Sequence, residues 1–304
     1  MSFKQRFLLS VLSGILFVPA WYTWGTGFIL FIAFIPMLLV EQDLVKRGKN
    51  SREFFLLPFL SFFIWNLAAT WWIKNASFAG AVVAILVNST FMSIPFWLFS
   101  YTHRKLGNSF GYFSLLFYWI AFEYFYLNAE ISWTWLNLGN GFANNIRFIQ
   151  WYEYTGVLGG TFWVLTVNLL LFRALSKFRE SRKLKTASSE LGLFAFFFII
   201  PIVLSLFIFR NYTEKKNPYE IVVIQPNIDP YMKFNDIPAD EQMNIFIRLA
   251  DSLSGPSTDY IVVPETFIND NVWLHELHDN RSIRKVQELS SRYPRAKIVI
   301  GATT

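Results

Sequence analysis

Seven long apolar blocks leave this chain few folds to choose from: about Phe7 to Tyr22, Gly25 to Val40, Phe54 to Ile73, Phe78 to Tyr101, Phe110 to Leu127, Gly159 to Phe172 and Leu191 to Phe209. In hydrocarbon every backbone N–H and C=O must be satisfied within the protein, so blocks of this length are expected to cross a membrane as helices. The 304 residues include 34 Phe and are only 16% charged, a composition that belongs to a polytopic membrane protein. Lys4 and Arg6 precede the first block and Val18-Pro19-Ala20 closes it, as in a signal peptide. The second block follows almost at once, which favours an uncleaved hairpin.

Loop charges set the orientation. If all seven blocks cross, Lys4, Arg6, Lys46, Arg47, Lys49, Arg52, Arg104, Lys105 and the basic run from Arg173 to Lys185 share one side, against Lys74 and Arg147 on the other. The positive-inside rule then places the amino terminus in the cytoplasm and everything after Arg210 outside, in the periplasm of a bacterial cell. The net charge of +6 would suit a nucleic-acid partner, but residues 1–210 carry 17 Lys+Arg against 8 Asp+Glu and residues 211–304 carry 10 against 13. The basic excess therefore belongs to the membrane part, and no nucleic-acid partner is expected. Cysteine is absent, which removes disulfides, thiolate metal sites and a Cys nucleophile from these residues.

Between the fifth and sixth blocks, Asn128 to Leu158 interleaves Trp, Tyr, Asn and Gly with few charges. An aromatic belt accounts for single Trp residues, and the whole segment is apolar enough to dip into the interface and meet lipid. Glu123 lies in the outer part of the fifth block, where an ionisable group is either functional or bonded to a neighbouring helix. Asn66, Asn88 and Asn168 are expected to join helices.

After Arg210 the periodicity changes. Glu220 to Gln225, Tyr260 to Val263 and Lys297 to Ile300 read as strands, and Ala239 to Leu253 and Arg281 to Arg292 as amphipathic helices. Alternating strands and helices predict a parallel sheet, and the β-branched run at Tyr260 to Val263 fits a strand buried on both faces. Pro264 stops that strand and leaves Glu265 just past its carboxyl end, the edge at which open α/β sheets bind ligands. A carboxylate there is a candidate general base or acid, provided a cleft adjoins it. Two helices cannot cover both faces of such a sheet, so it is expected to continue past Thr304. Other motifs carry less: His275-Glu276-Leu277-His278 is one residue short of the zinc-protease pattern, the three Asn-X-Ser/Thr sequons are of chance length, and no glycine loop could cradle a phosphate. Neither metal nor cofactor is expected.

Taken in order, the pieces resemble the apolipoprotein N-acyltransferase family. The resemblance rests on seven blocks before an α/β part, Trp133-Thr134-Trp135-Leu136-Asn137-Leu138-Gly139, the Gln150 to Gly160 segment, Val222-Val223-Ile224-Gln225-Pro226-Asn227-Ile228 and Val262-Val263-Pro264-Glu265-Thr266. It implies a multi-pass helical domain over residues 1–210, with 211–304 as the first part of a nitrilase-like αββα domain, in a bacterial inner membrane, acting as a monomer on a membrane phospholipid acyl donor and a diacylglyceryl apolipoprotein acceptor. It also implies a Glu-Lys-Cys triad. The Cys takes an acyl chain from a phospholipid as a thioester and passes it to the amino-terminal lipidated cysteine of a lipoprotein. Glu265 matches the acid; the Lys and Cys, with a closing transmembrane helix, would follow Thr304. Phe234 stands where the family usually has Trp and, with Trp135 and Glu123, is a candidate substrate contact. A non-catalytic lipid- or lipoprotein-binding homologue and a membrane-tethered amidase of the nitrilase kind are the alternative readings.

Overall fold

The computed structural model describes every residue except 49–51, 131, 215, 217, 234, 235, 269–271, 273, 274, 276, 278, 303 and 304, with no side chains described at 109, 230 and 231. The chain divides into two compact units, Met1–Tyr212 and Thr213–Thr304.

Among the described residues the first unit is a helical bundle of α1 (Phe3–Phe17), α2 (Leu30–Ala33), α3 (Ile35–Lys46), α4 (Glu53–Thr70), α5 (Phe78–Asn128), α6 (Tyr152–Ser181) and α7 (Ser188–Asn211). Local chemistry sets their starts. Ser2 and Gln5 form a reciprocal capping box before α1, and the Ser77 hydroxyl accepts from Gly80 N at 3.0 Å before α5. Gly107, with φ 72° and ψ −174°, folds α5 into two arms. That region of backbone space is open to glycine and costly for any other residue. The arms run antiparallel, with Thr102 bonded to Tyr118 at 3.0 Å and Phe91 against Tyr126.

Among the described residues six helical stretches are long and apolar enough to cross a membrane: Phe3–Trp21, Gly27–Lys46, Glu53–Asn75, Phe78–Asn108, Tyr152–Ser181 and Leu184–Asn211. The block at Phe110 to Leu127 is helical as the second arm of α5 but is not one of the six. Glu123 and the tyrosines at 112, 118, 124 and 126 dilute its apolar character.

Lipid tails are as apolar as the helices, so close backbone approach, ring packing and hydrogen bonds must hold the bundle together. Small residues let α1 and α4 meet: the Ser61 hydroxyl donates to Ser10 O at 2.8 Å, and a Cβ on Gly14 would lie 2.7 Å from Ser61 O. Around them Phe17 stacks on Trp65 at 4.5 Å and Phe34 meets Trp119 edge-on at 5.1 Å. All three asparagines expected to join helices do so. Asn88 Nδ2 donates to Asn66 Oδ1 at 2.6 Å between α5 and α4. Asn168 of α6 enters the gap between α2 and α3, where its Oδ1 accepts from Phe34 N at 3.0 Å and its Nδ2 donates to Leu30 O at 2.7 Å. Those two backbone groups would bond each other in an unbroken helix, so the side chain completes the interrupted ladder.

In the second unit β1 (Ile221–Val223), β2 (Tyr260–Val262) and β3 (Lys297–Val299) form a parallel sheet in the order β1-β2-β3, with Val222, Ile261 and Ile298 in register. Helices α8 (Pro230–Lys233), α9 (Ala239–Leu253) and α10 (Arg281–Arg292) complete the unit. The core gathers Ile224, Phe246, Ile261, Val263, Phe267 and Leu289, so Val222, Ile261 and Ile298 point toward α9 and α10.

As expected from two helices alone, one face of the sheet has no covering layer here, although Tyr260 and Val262 of β2 are half-buried on that face. Ile221, Val223 and Val299 are 54%, 69% and 51% exposed on it. Parallel crossovers are right-handed, and strands added in one direction put both crossover helices on the same side. The second apolar face is therefore left open within this unit.

Candidate active site

At the carboxyl ends of β1 and β2 lies a cleft of about 300 Å³, lined by Gln225, Asn227, Lys233, Pro264, Thr266 and Phe267 among others. The turns that follow both strands are unusual: Asn227 has φ 53° and Thr266 has φ 54°, left-handed values for residues with a Cβ. Such backbone persists only where its surroundings hold it, and two holds are visible. Lys233 Nζ donates to Thr266 O at 2.6 Å, joining the segment after β1 to the turn after β2. Partial burial holds the Lys233 ammonium below the usual lysine range. On the other side Gly301 packs so closely that a Cβ there would lie 2.6 Å from Thr266 N and 3.2 Å from Glu265 Cα.

Glu265 occupies that turn between Pro264 and Thr266, and both of these neighbours line the cleft. Its side chain is exposed, and among the described residues nothing is bonded to its carboxylate. The structure thus places the expected acid at the rim of a cleft, not within it. Phe234 lies outside the described residues, as do Glu276 and His278 of the His-rich motif. Among the described residues no cluster could hold a metal ion.

The other two candidates belong to the first unit. Glu123 is 1% exposed and anchors the loop after α5. Its Oε1 accepts from Trp119 Nε1 at 2.9 Å and from Leu138 N at 2.8 Å, while its Oε2 accepts from the Thr161 hydroxyl at 2.5 Å. Thr161 also accepts from Gly139 N, and the Tyr152 hydroxyl donates to Gly139 O. With Leu136, Leu138 and Phe142 buried, this loop turns its apolar residues into the bundle. Trp135 points the other way, half exposed, and stacks on Trp72 at 4.7 Å with Trp133 beside it.

Sequence reasoning missed several partners. Lys233 reads as a flanking residue until the strand ends bring it to Thr266. A buried pair also goes unannounced: His103 Nδ1 lies 2.8 Å from Glu41 and Nε2 lies 2.8 Å from Asn108 Oδ1, where the arms of α5 turn. Two ionisable residues just past the ends of apolar blocks, Glu41 after Val40 and His103 after Tyr101, were the available signal.

A helical bundle built to lie in a membrane, followed by a small α/β unit with an acid at the rim of its strand-end cleft, defines a polytopic membrane protein with an appended α/β unit. Residues 13–170 match the profile of the apolipoprotein N-acyltransferase N-terminal domain, and the chain belongs to that family. Similar proteins include the apolipoprotein N-acyltransferase of Chlorobaculum tepidum, 28% identical over 271 residues, which cover 87% of this chain and 50% of that protein. Those of Geobacter metallireducens and Thermotoga maritima are 24% and 23% identical, over 86% and 93% of this chain and 51% and 54% of their own lengths. The chain spans about half the length of the curated relatives it matches.

Proposed function

We propose that these residues serve acyl transfer from a membrane phospholipid to the amino-terminal lipidated cysteine of a bacterial lipoprotein, with Glu265 as the group that moves protons. The observation that carries this reading is the strand-end cleft with a carboxylate on the turn at its rim that has no bonding partner among the described residues, in a chain of this family. Residues 211–304 would be the first part of a nitrilase-like domain, and the apolar face at Ile221, Val223 and Val299 fits the second layer of such an αββα sandwich. The amino terminus would be cytoplasmic and the α/β unit periplasmic, in the inner membrane, with the protein acting as a monomer.

In this mechanism a thiol proton passes to Glu265 and the thiolate attacks the phospholipid ester carbonyl. A C–S bond forms and a C–O bond breaks, and the proton goes to the departing alkoxide to leave a lysophospholipid. The acceptor amine then attacks the thioester, giving up a proton as the thiol is restored. A lysine would hold the oxyanion in both steps. The 304 residues contain no cysteine, so the thiol must come from outside them, and the purified 304-residue chain should show no turnover.

The test uses a gene product that carries both these residues and the triad cysteine. With a phospholipid bearing a fluorescent acyl chain, Glu265→Gln should lower acyl-enzyme formation by about 10²-fold or more. An unchanged rate would remove Glu265 from the chemistry.

A further inference from the structure

The turn that carries Glu265 is tied at both ends and has a single polar tie between them. Val263 N donates to Val299 O at 2.9 Å and Ile268 N to Gly301 O at 3.0 Å, so β3 and the residues after it fix the chain on either side. For Pro264 to Phe267, the bond from Lys233 Nζ to Thr266 O at 2.6 Å is the only hydrogen bond among the described residues. It reaches the carbonyl of a residue whose φ of 54° is left-handed. A threonine released from such a hold relaxes toward the broad β region, and its neighbour Glu265 is turned with it.

Lys233 is in turn placed from behind. Gln242, buried near the start of α9, donates from Nε2 to Lys233 O at 2.6 Å and to Ile237 O at 2.8 Å. Those two bonds fix the backbone from which the lysine side chain extends. Helix α9 is a firm base: Met243 and Phe246 are buried in the core, and Lys285 of α10 donates to Asn244 at 2.7 Å. A line of contacts thus runs from the core through Gln242 and Lys233 to the turn. Beside it Phe246 meets Phe267 edge-on at 5.5 Å, a contact that needs none of these hydrogen bonds.

We propose that Gln242 and Lys233 act in series as positioning residues for Glu265, holding its carboxylate at the cleft while it moves protons. The proposal rests on the acyl-transfer reading and adds to it two residues that act on the turn and not on the substrate.

The experiment follows acyl-enzyme formation from the fluorescent phospholipid, in the gene product that carries both these residues and the triad cysteine. Lys233→Met should lower the rate at saturating phospholipid by about 10- to 10²-fold, the scale of a misplacement of about 1 Å, with KM little changed. Gln242→Leu should give a smaller loss of the same kind, and none beyond that of Lys233→Met when the two are combined. In a Glu265→Gln background Lys233→Met should leave the residual rate unchanged, because the group it positions is already disabled; a lysine that touched the reacting atoms would still matter there. Amide exchange at 265–267 should quicken in Lys233→Met while the strands stay protected, and if that variant does not fold, Gln242→Leu carries the same comparisons. An unchanged saturating rate, or losses that multiply in the Glu265→Gln background, would overturn the proposal and leave the acyl-transfer reading standing. A Glu265→Gln protein as fast as the parent would overturn both.

Discussion

Glu123 shows how one side chain can fix the shape of a loop. Its carboxylate takes three donors from three segments, Trp119, Leu138 and Thr161, so truncation would strand all three in a dry interior. Glu123→Ala should cost about 3 kcal/mol or more, read as a lower unfolding temperature in detergent and faster proteolysis between residues 131 and 150. Glu123→Gln keeps an acceptor oxygen and should fall between the two. In the second unit, Gly301→Ala should push the Glu265 turn away from β3. If Glu265 handles protons, turnover in the complete enzyme should drop about 10²-fold, with amide exchange at 264–268 quickened. Asp259 gives the strand starts a dependence on pH. The Glu220 backbone N–H, and after it Arg295, hold its carboxyl below the usual carboxylate range. The folded form thus favours the charged acid: the contribution is present above the ordinary carboxylate range and is lost as pH falls through the lowered value. Exchange protection of Tyr260 should fall with acid in the native chain, and Asp259→Asn should flatten that dependence.

At the scale of elements, periodicity foretold where helices begin and end more readily than what they would face. The helix expected at Arg281 to Arg292 is α10, because Ile283, Val286 and Leu289 recur along one side of it. That one face of the sheet would lack a covering layer was legible from the helix count, whereas which strand residues lie on that face follows from crossover handedness and register. Partners far apart in sequence were equally hidden: nothing local to Glu41 points to His103, 62 positions later. At the bend in α5, a Cβ on Gly107 would meet nothing within 4 Å, so Gly107→Ala isolates the backbone cost. That cost should be about 1–3 kcal/mol, measured by thermal unfolding in detergent.

For the whole molecule, the apolar blocks and the change of periodicity after Arg210 made the bundle and the α/β unit legible, while the site was only half so. Glu265 could be placed past a strand, but its cleft depends on Lys233, Asn227 and Gly301, which converge only once three strands lie side by side. A chain without cysteine also offers a direct test of orientation. A single reporter thiol at exposed Ser257 should react with a membrane-impermeant maleimide in spheroplasts, whereas one at Lys183 should react only after the membrane is opened. Labelling in the reverse order would invert the proposed topology.

The amide of Asn168 sets a timetable for biogenesis. The helical stretch from Leu30 to Lys46 emerges from the ribosome with one rung of its backbone open, and the group that closes it lies 134 positions later than Phe34. At about 5–20 residues per second, translation leaves that rung waiting on the order of ten seconds. During that interval the nascent segment must rely on water, lipid headgroups or the insertion machinery to shelter a carbonyl and an amide that the finished protein covers itself.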